Sequence, residues 1–128
     1  MAKIILGTTP KTFKRFPVKF KLPDGEDGVI NVTFKYKTRS GYGDYLNDLF
    51  KSSGEEAPAT NADVDFVALY KKTGAKSAEK LVNAIDSWDF EYPLSADTLA
   101  QLHDEIPSAL AALAGALQGA CTEGKLGN

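Results

Sequence analysis

The chain has 128 residues, 43% of them hydrophobic and 25% charged, with a formal net charge of −2 at neutral pH. This length fits one domain, and the single cysteine, Cys121, excludes an internal disulfide. The first residues are too short an apolar stretch for a signal peptide, and residues 106–121 are too few and too interrupted to span a bilayer. We therefore expect a single cytoplasmic domain over residues 1–128 with no membrane partner.

The charge is distributed unevenly along the chain. Residues 1–40 contain nine Lys or Arg and three Asp or Glu, a net of +6, whereas residues 41–128 contain six and fourteen, a net of −8. Two halves of opposite charge can attract each other within one molecule or between copies stacked head to tail. A solvated charged surface with no partner is the simpler alternative.

Two stretches near the N-terminus, Val18–Leu22 and Ile30–Lys37, alternate apolar and polar residues. This period of two predicts half-buried strands, and the turn-rich residues 23–28 between them predict an antiparallel hairpin. The side chains expected to face the core are Val18, Phe20, Leu22, Ile30, Val32, Phe34 and Tyr36. The side chains expected to face solvent are Lys19, Lys21, Lys35 and Lys37. Lys3–Leu6 is a candidate for a third, shorter strand.

Helical periodicity begins at Gly41, so the chain divides into a basic hairpin region (1–40), a helical region (41–121) and a flexible tail (122–128). Pro107 is tolerated only in the first turn of a helix, so a new helix is expected to start near Ile106. The predicted helices are 42–52, 61–74, 75–86, a helix capped by Ser95, and 106–121, with a linker at 52–60 and an aromatic turn at 88–90. Strands followed by helices predict an α+β fold, with an N-terminal antiparallel hairpin or small sheet before a mostly helical part.

The sequence contains no recognisable catalytic set, so we expect no enzyme activity, no metal and no cofactor. The single histidine, His103, has no second His or Cys near it in the sequence. Cys121 lies at the end of a predicted helix without an adjacent base. The acidic run Asp24–Gly28 is too short for a calcium loop, and the hairpin turn accounts for it.

The four lysines that face out from the hairpin are candidates for contacting phosphates. Stacking on bases would need aromatic residues on the same face, but Phe20, Phe34 and Tyr36 are expected on the opposite one. A nucleic-acid-binding module is therefore a disfavoured alternative. Lysines on an exposed strand also discourage edge-to-edge aggregation.

The last predicted helix, 106–121, contains no charged residue. Ile106, Leu110, Leu113 and Leu117 form one stripe at helical spacing, and small residues form the neighbouring faces. We interpret one stripe as core and the small-residue face as a close-packing surface, the alternative being a helix wholly internal to one monomer. The predicted partner or oligomer interface comprises Lys19, Lys21, Lys35, Lys37, Ala109, Ala112, Gly115, Ala116 and Gly119.

The C-terminal third combines several short apolar motifs with a small-residue helix. These motifs are Leu81-Val82, Ile85, Trp88-Asp89, Pro93-Leu94-Ser95, Leu99, Leu102 and Ile106-Pro107-Ser108-Ala109, followed at the end by Lys125-Leu126-Gly127-Asn128. This pattern resembles the tail assembly chaperones of long-tailed bacteriophages, over about residues 16–128.

The resemblance implies a non-catalytic chaperone that binds the tape measure protein. Such chaperones keep its hydrophobic helices soluble in the host cytoplasm while tail tube subunits polymerise, and are not expected in the mature virion. The implied partners are the tape measure protein and the tail tube protein, with a homo-oligomer left open. The resemblance also implies a longer, frameshifted form. The alternative is a ring-forming structural subunit of the tail or of the head–tail joint.

Overall fold

The alternating residues near the N-terminus form two paired strands. The computed structural model, which describes residues 6–53 and 75–126, places strand β1 at Phe16–Lys21 and strand β2 at Asp27–Phe34. They pair antiparallel, and the predicted hairpin is confirmed. Of the side chains expected in the core, four are buried and three are half-buried. The buried ones are Val18, Ile30, Val32 and Phe34, and the half-buried ones are Phe20, Leu22 and Tyr36.

The acidic run between the two strands folds as a tight turn. The carboxylate of Asp24 accepts a hydrogen bond of 2.9 Å from the N–H of Glu26, and the N–H of Leu22 donates to the carbonyl of Glu26 at 2.8 Å. Gly25 has a φ of 86°, a conformation that glycine adopts without a steric cost. These contacts account for the first Asp-Gly pair, Asp24-Gly25, without a metal ion.

The third strand of the sheet lies far from where the sequence predicted it. Helix α2 spans Ala75–Ala84, and the chain then enters strand β3 at Ile85–Trp88, which pairs antiparallel with β2. The predicted helix over 75–86 is thus too long by two residues, and Trp88 belongs to a strand rather than to a turn. Of the expected strand at 3–6, Leu6 lies in an exposed turn and residues 3–5 lie outside the described residues.

Pairing with β2 explains why α2 ends at Ala84 although the helical pattern continues to Ile85. The open edge of β2 offers backbone hydrogen bonds that a longer α2 would leave unsatisfied. The described sheet therefore has the order β1-β2-β3, with a register shift between Thr33 and Phe34.

Helix α1 spans Arg39–Ser53, three residues longer at its start than predicted. Thr38 caps it, because its Oγ1 accepts a hydrogen bond of 3.0 Å from the N–H of Gly41. Tyr42, Leu46 and Leu49 form its buried face. The predicted helix over 61–74 and the linker from residue 54 onward lie outside the described residues.

The two C-terminal helices meet at a single residue. Helix α3 spans Ala96–Glu105 and helix α4 spans Pro107–Glu123. Ser95 caps α3 as predicted, accepting a hydrogen bond from the N–H of Thr98. Ile106 is not helical (φ −135°, ψ 75°), because a residue before proline avoids the helical region.

Helix α4 runs two residues past its predicted end at Cys121. Thr122 and Glu123 are helical, although the sequence placed them in the tail. Gly124 then takes a left-handed φ of 67° and ends the helix.

The helices pack against one face of the sheet and enclose the core. Helix α4 contacts β1, α1 and α3, and α2 contacts α1, α3 and β3. Leu110, Leu113 and Leu117 of α4 are buried, and burial of each such side chain contributes about 1.5–3 kcal/mol. The antiparallel sheet with helices on one side confirms the predicted α+β class.

Candidate protein-binding surfaces

The four predicted lysines do not all lie on the hairpin. Lys19 and Lys21 are exposed on β1, and Lys35 is exposed immediately after β2. Lys37 is half-buried, and its Nζ lies 5.5 Å from the centroid of the Tyr45 ring, in a cation–π contact. The exposure of Lys37 differs from that of the other three lysines because β2 ends at residue 34. Lys37 therefore lies in the segment that connects β2 to α1.

Lys21 also has a partner within the hairpin. Its Nζ lies 2.5 Å from a carboxylate oxygen of Asp27, the residue opposite it in the pairing of β1 with β2. The hydrogen bond and the charge of Lys21 hold the pKa of Asp27 below its ordinary value. Both side chains are exposed, so this pair leaves Lys21 accessible to a binding partner.

Polar contacts tie the outer face of the sheet together. Arg15 donates from Nε to Thr33 Oγ1 at 3.1 Å and from Nη2 to Ser87 Oγ at 3.0 Å, which joins residues of β2 and β3. Sequence reasoning missed this role of Arg15, because Ser87 was not expected in a strand.

The small residues of α4 divide between core and surface. Ala109 is completely buried, whereas Ala112, Ala116 and Gly119 are half-buried and Gly115 is exposed. Among the described residues, no atom outside the backbone of α4 itself lies within 4 Å of the position that a Cβ on Gly115 would occupy. Ala109 therefore belongs to the core, and the other four residues lie at or beside the open face. We call Ser108, Ala111, Ala112, Gly115 and Gly119 the uncharged face of α4.

The uncharged face begins beside β1, the basic strand that bears the exposed Lys19 and Lys21. Ser108 Oγ donates a hydrogen bond of 2.5 Å to the carbonyl of Lys21, the last residue of β1. This bond fixes the start of α4 against the end of β1. Of the predicted lysines, Lys21 is thus the one that this bond brings to the start of α4.

An aromatic groove that sequence reasoning missed lies between α3 and the segment after β3. Its volume is about 260 Å³. It is lined by Phe90, Tyr92, Thr98, Gln101, Leu102, Glu105 and Ile106. The alternation of aromatic and acidic residues from Trp88 to Tyr92 was a visible signal. The groove itself depends on how α3 packs, which the alternation does not encode.

Internal contacts fix the aromatic wall of this groove. The indole N–H of Trp88 donates to the carbonyl of Tyr92 at 3.1 Å. The ring of Phe90 lies edge-on to Trp88 at 5.5 Å between centroids and 5.0 Å from the ring of Tyr92. The wall is therefore preformed rather than assembled on binding.

Two buried groups near the end of α4 are kept neutral by their surroundings. Burial raises the pKa of the Cys121 thiol to about 11, so the thiol is protonated and a poor nucleophile at neutral pH. Burial likewise raises the pKa of Tyr42, whose hydroxyl has no hydrogen-bond partner among the described residues. This environment gives Cys121 no catalytic activation.

Within residues 6–53 and 75–126, no group of three or more His, Cys, Asp or Glu side chains could hold a metal ion. His103 is half-buried in the last turn of α3. None of the described helices is long and apolar enough to cross a membrane.

A family model described as phage tail assembly chaperone matches residues 1–128, the whole chain. The chain belongs to the phage tail assembly chaperone family. The resemblance inferred from the C-terminal motifs is confirmed, and the match extends it to the N-terminus. A role in tail assembly follows for this chaperone. No curated protein and no solved structure matches it significantly.

Proposed function

We propose that this chaperone binds the tape measure protein and keeps its hydrophobic helices soluble while tail tube subunits polymerise. It acts without catalysis, in the host cytoplasm, and leaves before the virion is complete. Family membership supports a tail-assembly role, and the chemistry of α4 supports this choice of client.

The observation that carries the proposal is the uncharged face of α4. Glu123 is the only charged residue in this 17-residue helix, and it lies in the last turn. Small side chains around an open Gly115 allow another backbone to approach closely, as a client helix requires. From Ser108 to Gly115, such a face can contact apolar client side chains without desolvating a charge. At the far end of the face, the side chain of Lys125 lies against Gly119.

The basic strand beside this face supplies a second part of the proposed client surface. Lys19 and Lys21 are exposed, and Ser108 holds the start of α4 against Lys21. Exposed lysines attract a client segment through long-range charge and keep the apolar face soluble. We therefore place the client on Ala112, Gly115 and Gly119 of the uncharged face and on the adjoining Ala116. Lys19 and Lys21 lie at the border of this surface.

Co-expression with the tape measure protein tests the proposal, with the soluble fraction of that protein as the readout. We expect the wild-type chain to raise this fraction and Gly115→Glu to abolish the increase, because the variant puts a charge at the centre of the uncharged face. Gly43→Glu is the matched control, since Gly43 is also helical and also has open space at its Cβ position.

Two results would contradict the proposal. If the wild-type chain left the tape measure protein insoluble, the proposed client would be wrong. If Gly115→Glu kept the tape measure protein soluble as well as Gly43→Glu does, the proposed binding surface would be wrong. Mass spectrometry of purified virions tests the remaining part of the proposal, that the chaperone leaves before the virion is complete. A stoichiometric amount of this chain in the particle would favour the structural-subunit alternative.

A further inference from the structure

The segment before β1 is exposed and basic, and it carries a large apolar side chain, Leu6, on its surface. Residues 6–11 are all exposed, and the side chain of Leu6 is 93% exposed. Residues 6–15, which precede β1, contain two Lys and one Arg and no carboxylate. A free leucine on a basic segment is the chemistry of a peptide that inserts into an acidic, apolar groove.

The aromatic groove has the complementary character. Tyr92 on its wall is 58% exposed, although it is a large aromatic residue. The stretch Ile85–Ile106 contains six Asp or Glu and no Lys or Arg. Glu105 lies in the lining, where it accepts a hydrogen bond of 2.6 Å from Gln101, and Glu91 is exposed between Phe90 and Tyr92.

The sheet separates these two features within one molecule. The N–H of Tyr36 donates to the carbonyl of Lys11, whereas the N–H of Asp89 donates to the carbonyl of Asn31, five residues earlier. At about 3.3 Å per residue, these anchor points are about 16 Å apart along β2. Both flanking segments run antiparallel to β2, so they leave opposite ends of the sheet.

We propose that the Leu6–Lys11 segment of one copy docks into the aromatic groove of a second copy. Leu6 enters the groove against Phe90 and Tyr92, and Lys11 faces the carboxylates of Glu91 and Glu105. Because the two halves of the contact lie at opposite ends of the sheet, the association is head-to-tail and can continue from copy to copy. This inference goes beyond the proposed function, and it can be wrong while the proposed function is right.

Sedimentation equilibrium of the full chain at low salt tests the contact with two one-sided variants. Leu6→Asp disables the segment and Tyr92→Ala disables the groove, and both residues are exposed, so folding is spared. We expect each variant alone to self-associate at least about tenfold more weakly than the wild type, because each loses an apolar anchor. Leu126→Asp is the matched control, since Leu126 is also exposed. This variant should self-associate as strongly as the wild type.

Mixing the two one-sided variants gives the decisive result. Tyr92→Ala still has an intact segment and Leu6→Asp an intact groove, so the mixture should form a 1:1 complex that grows no further. The inference is overturned if the mixture stays monomeric, if the wild type is monomeric at high concentration, or if Tyr92→Ala loses only solubilisation of the tape measure protein. That last outcome would make the client the occupant of the groove.

Discussion

At the scale of single residues, Asp89 fastens the segment after β3 to the sheet. Its carboxylate accepts hydrogen bonds from Nδ2 of Asn31 at 2.7 Å and from the N–H of Asn31 at 2.8 Å. Its own N–H donates to the Asn31 carbonyl at 3.0 Å. The bonds from Asn31, the side-chain bond first, hold the pKa of Asp89 below its ordinary value.

This lowered pKa predicts a loss of stability in acid. The folded state binds the proton more weakly than the unfolded state, so the contribution is complete above the unfolded pKa of about 4 and disappears as pH falls through the folded pKa. We expect the free energy of unfolding of Asp89→Asn to fall less steeply with acid than that of the wild type. Urea unfolding between about pH 2.5 and pH 6 measures both curves.

Asn31→Ala provides an independent check on the same hydrogen bonds. It removes the side-chain donor but keeps the backbone donor, so its acid dependence should lie between those of the wild type and Asp89→Asn. Parallel curves for all three proteins would show that this carboxylate does not contribute to acid sensitivity.

At the scale of secondary structure, the sequence predicted the elements whose signals are local. The alternation in β1 and β2, the Ser95 cap and the break at Pro107 each depend on residues a few positions apart. Strand β3 was missed because four residues, Ile85–Trp88, are extended only through pairing with β2, about fifty positions away. The aromatic groove was missed for the same reason, since it needs α3 opposite that segment.

The Ser95 cap also gives a prediction for α3. Its Oγ accepts a hydrogen bond of 3.2 Å from the N–H of Thr98, which would otherwise lack a partner in the first turn. We expect Ser95→Ala to lower the free energy of unfolding by about 1 kcal/mol, measured by urea denaturation. Ser40→Ala makes the same chemical change at an exposed position inside α1. It should be neutral or slightly stabilising, and an equal loss in both variants would argue against capping.

At the scale of the whole molecule, α4 joins the parts of the described fold. It contacts β1 on the sheet and both α1 and α3. Leu113 lies in the middle of its buried face and is completely inaccessible to solvent. Removing this side chain should therefore weaken the packing of α4 against the sheet and against both neighbouring helices, rather than the packing of one helix alone.

We expect Leu113→Ala to lower the free energy of unfolding by about 2–5 kcal/mol, because a buried leucine leaves a cavity. Leu126→Ala, the same change at an exposed site, should cost little. Fluorescence of Trp88 and far-ultraviolet circular dichroism should follow one shared transition if residues 1–128 form the single domain that we propose. Two separate transitions would instead indicate independently folding parts.

The junction at Ile106 has a consequence for geometry. One residue ends α3 and precedes α4, its N–H donating to the Leu102 carbonyl at 2.7 Å, and Pro107 follows at once. No loop separates the helix that lines the aromatic groove from the helix that bears the uncharged face. The angle between these two surfaces is therefore set by backbone stereochemistry. If copies join head to tail through the groove, the client surface of each copy is rotated by the same angle relative to that of the copy before it. The client surfaces of the assembly would then follow a helix of regular pitch.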